Sequence, residues 1–202
     1  MKAFSAILTI LFLFACQSPD LSHFETRADG TTAFTGNAMT MQYKILVGQT
    51  LSPTQNTKIL EIIKSTFNDT NSIFNKWNPG SELSKLNSLK TEIAIPLSAD
   101  LLRLFIETDA IVKLSQGLFD PTIEPLQELW KRKLDAGRVP TDEEIQDIAP
   151  ALGWDKISFR DGIFTKEHDM TKLDFGGIAK GLCIDMMVER INAAGFPNLY
   201  VE

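Results

Sequence analysis

One stretch constrains the fold more than any other: MTKLDFGGIAKGLCIDMMVERINAAG, Met170 to Gly195. An apolar run closes on Asp174, Gly176 and Gly177 interrupt it, and a helical pattern runs from about Ile178 to a stop at Gly195. The run before the helix and the NLYVE stretch after it read as strands. The segment therefore predicts a strand–helix–strand unit and a sheet that is parallel at least in part. Asp174, Gly176, Gly177 and Lys180 then fall at a strand-to-helix corner, where open α/β proteins seat ligands. Glycines let backbone approach a ligand, the helix start offers amides and the positive end of a dipole, and Lys180 adds a full charge. Two readings stand on these residues: a structural glycine corner, and a cradle for a phosphate, a pyrophosphate or a metal beside one. Neither GxxxxGK(S/T) nor GxGxxG occurs, so the Walker loop and the dinucleotide fingerprint are both excluded.

The rest of the chain predicts a mixed α and β domain (α+β or mixed α/β). MTMQYKILVG alternates as a strand with Met39, Met41, Tyr43, Ile45 and Val47 on one face. Pro53 opens a helix whose Ile59, Ile62, Ile63 and Phe67 recur at helical spacing, and Asn78-Pro79-Gly80 follows as a break. SELSKLNS reads as a short helix and TEIAIP as a small strand; Ser98 caps the next helix, with Gly117 at its left-handed end. GLFDPTIEPLQELW is a turn and a helix start, and Thr141 with Glu144 forms a capping box. KISFRDGIFTKE reads as a hairpin turning at Asp161-Gly162.

Only His23 and His168 are available as imidazoles among 202 residues, and the formal net charge of -6 leaves no basic face for nucleic acid. At the N-terminus Lys2 precedes an apolar run, Ala3 to Ala15, too short to span a bilayer but suited to an export signal. Leu13-Phe14-Ala15-Cys16 resembles a bacterial lipobox, in which Cys16 is lipidated; a cleaved signal with an incidental cysteine is the other reading. Residues 1–15 are thus expected to be a lipoprotein signal and 16–33 a polar, irregular tether, with regular structure starting at Ala33 or Phe34. Cys183, in an apolar helical run, reads as a small buried hydrophobe.

Further residues could carry chemistry. Asp120 before Pro121 suits an Asx turn that launches a helix. Trp77, beside a Pro-Gly break, is either a core aromatic or a stacking platform for a flat ring. Met39 and Met41 read as strand core. His168-Asp169 reads as a surface turn, not a catalytic relay.

Taken in order, GNAMTMQY, FNKWNPGSELSKLN, GLFDPTIEPLQELW and KLDFGGIAKGLCID resemble the FAD:protein FMN transferase (ApbE) family of exported, often lipid-anchored bacterial enzymes. The resemblance covers Phe34 to Glu202. It implies binding of FAD and Mg2+, cleavage of the FAD pyrophosphate, transfer of FMN through a phosphoester to a threonine or serine of a target flavoprotein, and release of AMP. By position, Met39 and Trp77 would pack on the flavin, Leu118, Phe119 and Asp120 would line the FAD site, and Asp174 and Lys180 would contact FAD. The main-chain carbonyl of Gly177 would be a magnesium ligand. The protein is then expected at a bacterial cell membrane, lipid-anchored and facing the periplasm or exterior, with flavoprotein acceptors as partners and a homodimer left open.

This chain departs from the family pattern. Met39-Thr40-Met41 stands where Met-Gly-Thr is usual, Trp77 where tyrosine is common, and Glu124 where a glycine precedes the helix proline. The family pattern continues past Glu202 through a glycine pair and an Asp/Thr segment with side-chain magnesium ligands. The expectation is therefore that residues 34–202 form the N-terminal part of the domain, with an incomplete metal site. The rival expectations are an FAD-binding lipoprotein without transferase activity and a lipoprotein scaffold with no ligand.

Overall fold

A computed structural model describes residues 20–202. The signal expected over 1–15, and Cys16 with it, lie outside the described residues. Strands β1 (Asp20–Thr26), β2 (Thr32–Ala38) and β3 (Met41–Val47) form a meander, and β7 (Leu199–Val201) joins the far side of β3. The order is β1-β2-β3-β7, and every pairing in it is antiparallel. The first strand lies where an irregular tether was expected. Its backbone completes the open side of β2, Phe24 reaches the Phe34 ring with centroids 5.8 Å apart, and Asp29 ties the connecting turn by accepting from the Thr31 amide.

Helix α1 (Pro53–Ile73) starts in a capping box between Ser52 and Gln55 and lays Ile59 and Ile63 on the sheet. The other helices are α2 (Glu82–Ser88), α3 (Ala99–Leu114), α4 (Glu124–Asp135), α5 (Asp142–Ile148) and α6 (Ala179–Ala193). Ser81, Ser98 and Thr141 cap α2, α3 and α5, two of them as the sequence predicts. Gly117 ends α3 in the left-handed region, φ 82°. A second small sheet pairs β6 (Ile163–Lys166) between β4 (Ile95–Pro96) and β5 (Ile157–Ser158); Asp161 and Gly162 both turn with positive φ in the predicted hairpin.

Two apolar clusters share α6. On one side Met187 and Ile191 pack with Phe34, Ile45, Val47, Ile59 and Ile63 against the larger sheet. On the other, Leu182 and Met186 join a cluster centred on Phe105, whose ring meets Trp154, Phe159, Phe164 and Phe175 at centroid distances of 5.2–5.8 Å. Cys183 is buried, as expected.

The parallel unit predicted around α6 does not form. Residues 171–175 join no strand ladder, and β7 runs antiparallel to β3. The backbone of this segment finds other partners. Asn87 brackets Leu173, accepting from its amide at 2.7 Å and donating to its carbonyl at 2.9 Å, and the Asp174 amide donates to the Pro121 carbonyl at 2.8 Å. Side chains and a loop carbonyl thus replace the neighbouring strand that the pattern implied. Among the described residues, no helix is long and apolar enough to cross a membrane.

Candidate functional site at the glycine corner

The segment before α6 delivers Asp174 to a cluster of charges. Its Oδ2 accepts from the Lys76 ammonium at 2.9 Å and its Oδ1 from the Gly176 amide at 2.7 Å. Lys76 Nζ also donates to Glu124 and, at 3.0 Å, to the Gln127 side chain. Three elements converge here: the turn after α1, the first turn of α4, and the corner itself. The three charged side chains keep only 14% (Lys76), 11% (Glu124) and 15% (Asp174) of their surface exposed. Burial pushes the Asp174 carboxyl upward, but the Lys76 ammonium and the Gly176 amide outweigh it and hold the group below its ordinary value. Burial likewise depresses Lys76, and its bonds to Glu124 and Asp174 outweigh that, raising it above the usual lysine value.

Beside this cluster the Phe119 ring lies against Gly177. A Cβ added to Gly177 would stand 2.9 Å from Phe119 Cε2, so any side chain there displaces the ring. Asp120 caps the turn that follows, its Oδ1 accepting from the Thr122 amide at 2.9 Å and from the Thr122 hydroxyl at 2.6 Å. The predicted Asx turn is therefore present, and it commits one carboxylate oxygen locally. Leu118 is 93% exposed and Trp77 is 74% exposed. Trp77 is thus no core aromatic: its amide is fixed by the Asn75 side chain at 2.9 Å and its ring lies on the surface.

Met39 and Met41 also depart from the strand-core expectation: at the tip of the β2–β3 hairpin, one in the turn and one opening β3, both are exposed. With Tyr43, Phe67, Met187 and Lys180 they line a pocket of about 80 Å³. That pocket is well below the several hundred Å³ typical of a ligand cavity, and it holds a fraction of a dinucleotide at most. Met39 and Thr40 turn with φ 51° and 65°, a conformation that disfavours a β-branched residue. Glycine, the usual family residue at position 40, would relieve it. Lys180 is exposed in the first turn of α6, whose N-terminus has no side-chain cap.

The corner therefore brings Asp174, Gly177 and Phe119 together, and it links Trp77 to them through Lys76. Met39 and Lys180 both line the neighbouring pocket. Lys76, Gln127 and Asn87 are not singled out by the sequence; the one available signal is Glu124, an acidic residue where the family pattern has a glycine, which here faces the Lys76 ammonium. Magnesium needs a near-octahedral oxygen shell, usually with a carboxylate. Among the described residues no three His, Cys, Asp or Glu side chains cluster to hold a metal, and Asp174 is already taken by Lys76 and the Gly176 amide. These residues do not fit a magnesium ion as they stand.

The fold is that of a class of solved flavin transferases. The chain superposes on the flavin transferase ApbE from Vibrio cholerae with a TM-score of 0.76 at 23% identity, over 85% of this chain and 56% of that one. For the flavinyl transferase ApbE of Pseudomonas stutzeri the TM-score is again 0.76, at 23% identity, over 86% and 56%. The family model of ApbE matches residues 39–202, and the chain belongs to the ApbE family. It is similar to proteins named FAD:protein FMN transferase in Chlamydia pneumoniae, 34% identical over 85% of this chain and 55% of the relative, and Chlamydia muridarum, 32% identical over 92% and 57%. The chain spans a little over half the length of these curated relatives.

Proposed function

We propose that this chain acts in flavin transfer, in which FAD is cleaved and FMN is attached through a phosphoester to a threonine or serine of a target flavoprotein. The acceptor hydroxyl attacks the phosphorus on the FMN side, the bond to the bridging oxygen breaks, and AMP leaves with that oxygen while the hydroxyl proton passes to solvent. Positioning and charge carry such a reaction. Trp77 and Met39 offer apolar surface to the flavin, Leu118 and Phe119 line its approach, Asp120 offers FAD the carboxylate oxygen that Thr122 does not use, and Asp174 would contact FAD from its place between Lys76 and the Gly176 amide. Lys180, at the start of α6, supplies positive charge for the pyrophosphate. The Gly177 carbonyl, the magnesium ligand that the family resemblance implies, has no cluster of His, Cys, Asp or Glu ligands around it among the described residues, so the metal carries no part of this reading.

The observation that carries this reading is the meeting of two stretches far apart in sequence: Phe119 packs on Gly177, and the Asp174 amide donates to the Pro121 carbonyl at 2.8 Å. A glycine corner of purely structural purpose has no need of the exposed Trp77 and Leu118 beside it. The full chain, incubated with FAD, Mg2+ and an acceptor flavoprotein, is expected to yield protein-bound FMN and an equal amount of AMP. Retained FAD without AMP would replace this reading with that of a flavin-binding lipoprotein, and retention of neither would exclude both. Anchoring through Cys16 on the exported side of a membrane is part of the same proposal. Cys16→Ser is expected to leave unprocessed precursor or release the protein to the soluble fraction, and parent-like processing and fractionation would defeat the anchor.

A further inference from the structure

We infer that Lys76 is a positioning residue that locks the Trp77 ring and the Asp174 carboxylate into one arrangement, so that aromatic stacking and the glycine corner act together. This inference rests on the flavin reading above.

Lys76 is itself held firmly. The Ser84 hydroxyl donates to its carbonyl at 3.0 Å, the Asn75 side chain accepts from the Trp77 amide at 2.9 Å, and the Ser81 hydroxyl donates to the Asn75 carbonyl at 2.7 Å. The two serine hydroxyls tie the turn to the start of α2, and the Asn75 side chain braces it from within. An ammonium has three N–H donors, and all are spent, on Glu124, Gln127 and Asp174. The same nitrogen stands 4.8 Å from the centroid of the Trp77 ring, within cation–π range. One cation thus touches α4, the corner before α6, and the exposed aromatic. The most economical structural use of this space would be apolar side chains, since a buried ion cluster gains little net stability over well-packed hydrophobes. What the cluster does supply is direction: Asp174 is held between an ammonium and an amide, and the indole cannot swing away without losing its cation.

The groups facing one another are Lys76 from the turn, Glu124 from α4 and Asp174 from the corner, with neutral Gln127 beside them and the Glu128–Lys172 pair, at 2.7 Å, next along α4. Without Lys76, two carboxylates would share one small space, and their mutual repulsion would favour uptake of a proton.

The test uses the full chain and its Lys76→Met, Lys76→Arg and Glu124→Gln variants. Trp77 emission is isolated in each by subtracting the spectrum of the matching Trp77→Phe protein. Lys76→Met is expected to shift the ligand-free Trp77 emission and to weaken FAD binding roughly tenfold, the cost of a loosened stacking platform. It should also make FAD affinity vary with pH between about 5 and 8, where the parent is flat, because the two carboxylates now titrate against each other. Lys76→Arg, which keeps a cation, is expected to restore the emission and the flat profile. A folded Lys76→Met protein with the parent's Trp77 emission, FAD affinity and pH profile would overturn the inference. If Lys76→Met does not fold, Glu124→Gln decides: it replaces a carboxylate partner of the cation by a neutral amide oxygen and so loosens its hold, and unchanged Trp77 emission and affinity would overturn the inference equally. Should the parent itself fail to bind FAD, the flavin reading falls, while the ligand-free emission still reports whether Lys76 holds the ring.

Discussion

Lys76 and Lys166 both bring an ammonium into the protein, and they are accommodated in opposite ways. Lys76 meets two carboxylates and an amide oxygen, and its affinity for the proton rises. Lys166 is 4% exposed and meets only backbone: the carbonyls of Thr171, Asp169 and Asn87 accept from its Nζ at 2.8, 3.1 and 3.4 Å. There burial dominates and lowers its affinity for the proton. The carbonyl-held lysine is a fastener. It gathers the chain on either side of Met170 and presents the segment that Asn87 grips at Leu173. The carboxylate-held lysine lies one step further on, where that segment ends in Asp174. The scaffold thus spends neutral dipoles on its buried cation, and the site spends full charges, which a ligand can rearrange.

The largest effect is expected from breaking the charged end of this comparison. Lys76→Met leaves Glu124 and Asp174 buried and unpaired and should cost about 3 kcal/mol of stability at neutral pH by denaturant titration. The sign of the pH dependence should also reverse. In the parent, Asp174 titrates below its ordinary 3.8, so its contribution is present above pH 3.8 and is lost as pH falls through the lower folded value. In the variant the carboxylates repel and their folded values rise, so stability should increase as pH falls from 7 toward about 5. A variant as stable as the parent, with the parent's pH profile, would show that the cluster is not coupled.

Next comes the fastener. Lys166→Met strips a donor from three carbonyls in a buried setting and should cost about 2 kcal/mol. Because the folded protein holds Lys166 below 10.5, the parent gains stability as pH rises from that lowered value toward 10.5, and the variant should lack this gain. Melting curves of parent and variant across alkaline pH that stay parallel would contradict it.

How much of this was legible in the sequence follows the range of each interaction. Caps and turns were readable because their partners are near neighbours: Thr141 with Glu144, Ser98, Gly117 and Asp161-Gly162 all behave as their spacing predicts. The meeting of GLFDPT with the glycine corner came only through family resemblance, since nothing local places Phe119 on Gly177. The parallel sheet was misread because an apolar run before a helix looks the same whether a neighbouring strand or Asn87 satisfies its backbone. β1 was missed because it draws its order from the edge of β2, and the polar composition of residues 17–32 hid it. Lys76 was invisible for a related reason: its partners Glu124 and Asp174 lie 48 and 98 residues away.

A smaller effect is expected where the two regions join. Asn87→Ala removes both hydrogen bonds to Leu173 and should cost about 1 kcal/mol, less than either lysine, because the segment keeps Lys166 and the Pro121 carbonyl. Its consequence for the site should be larger than its consequence for the fold, since Asp174 is the very next residue. FAD affinity should fall while the melting transition moves little, and loss of stability with full affinity would place Asn87 in the scaffold alone.

The smallest effect on stability, and the sharpest on function, belongs to Trp77. Its ring is 74% exposed and joins neither apolar cluster, so Trp77→Ala should change stability by no more than about 0.5 kcal/mol. Its amide bond to Asn75 and the Ser84 bond to the Lys76 carbonyl involve backbone atoms that alanine retains. Lys76 should stay where it is, since three other groups hold it once the cation–π contact is gone. The variant thus removes the aromatic surface and leaves the charged cluster intact, the converse of Lys76→Met. If the ring is a platform for the flavin, FAD retention should fall by roughly 1–3 kcal/mol, the worth of one ring stacked on an aromatic side chain. The Asp174 and Lys76 titrations should remain those of the parent, which NMR of the lysine ammonium and aspartate carboxyl can follow. Undiminished FAD binding by Trp77→Ala would detach the aromatic from the site and leave Lys76 as a bridge within the fold alone.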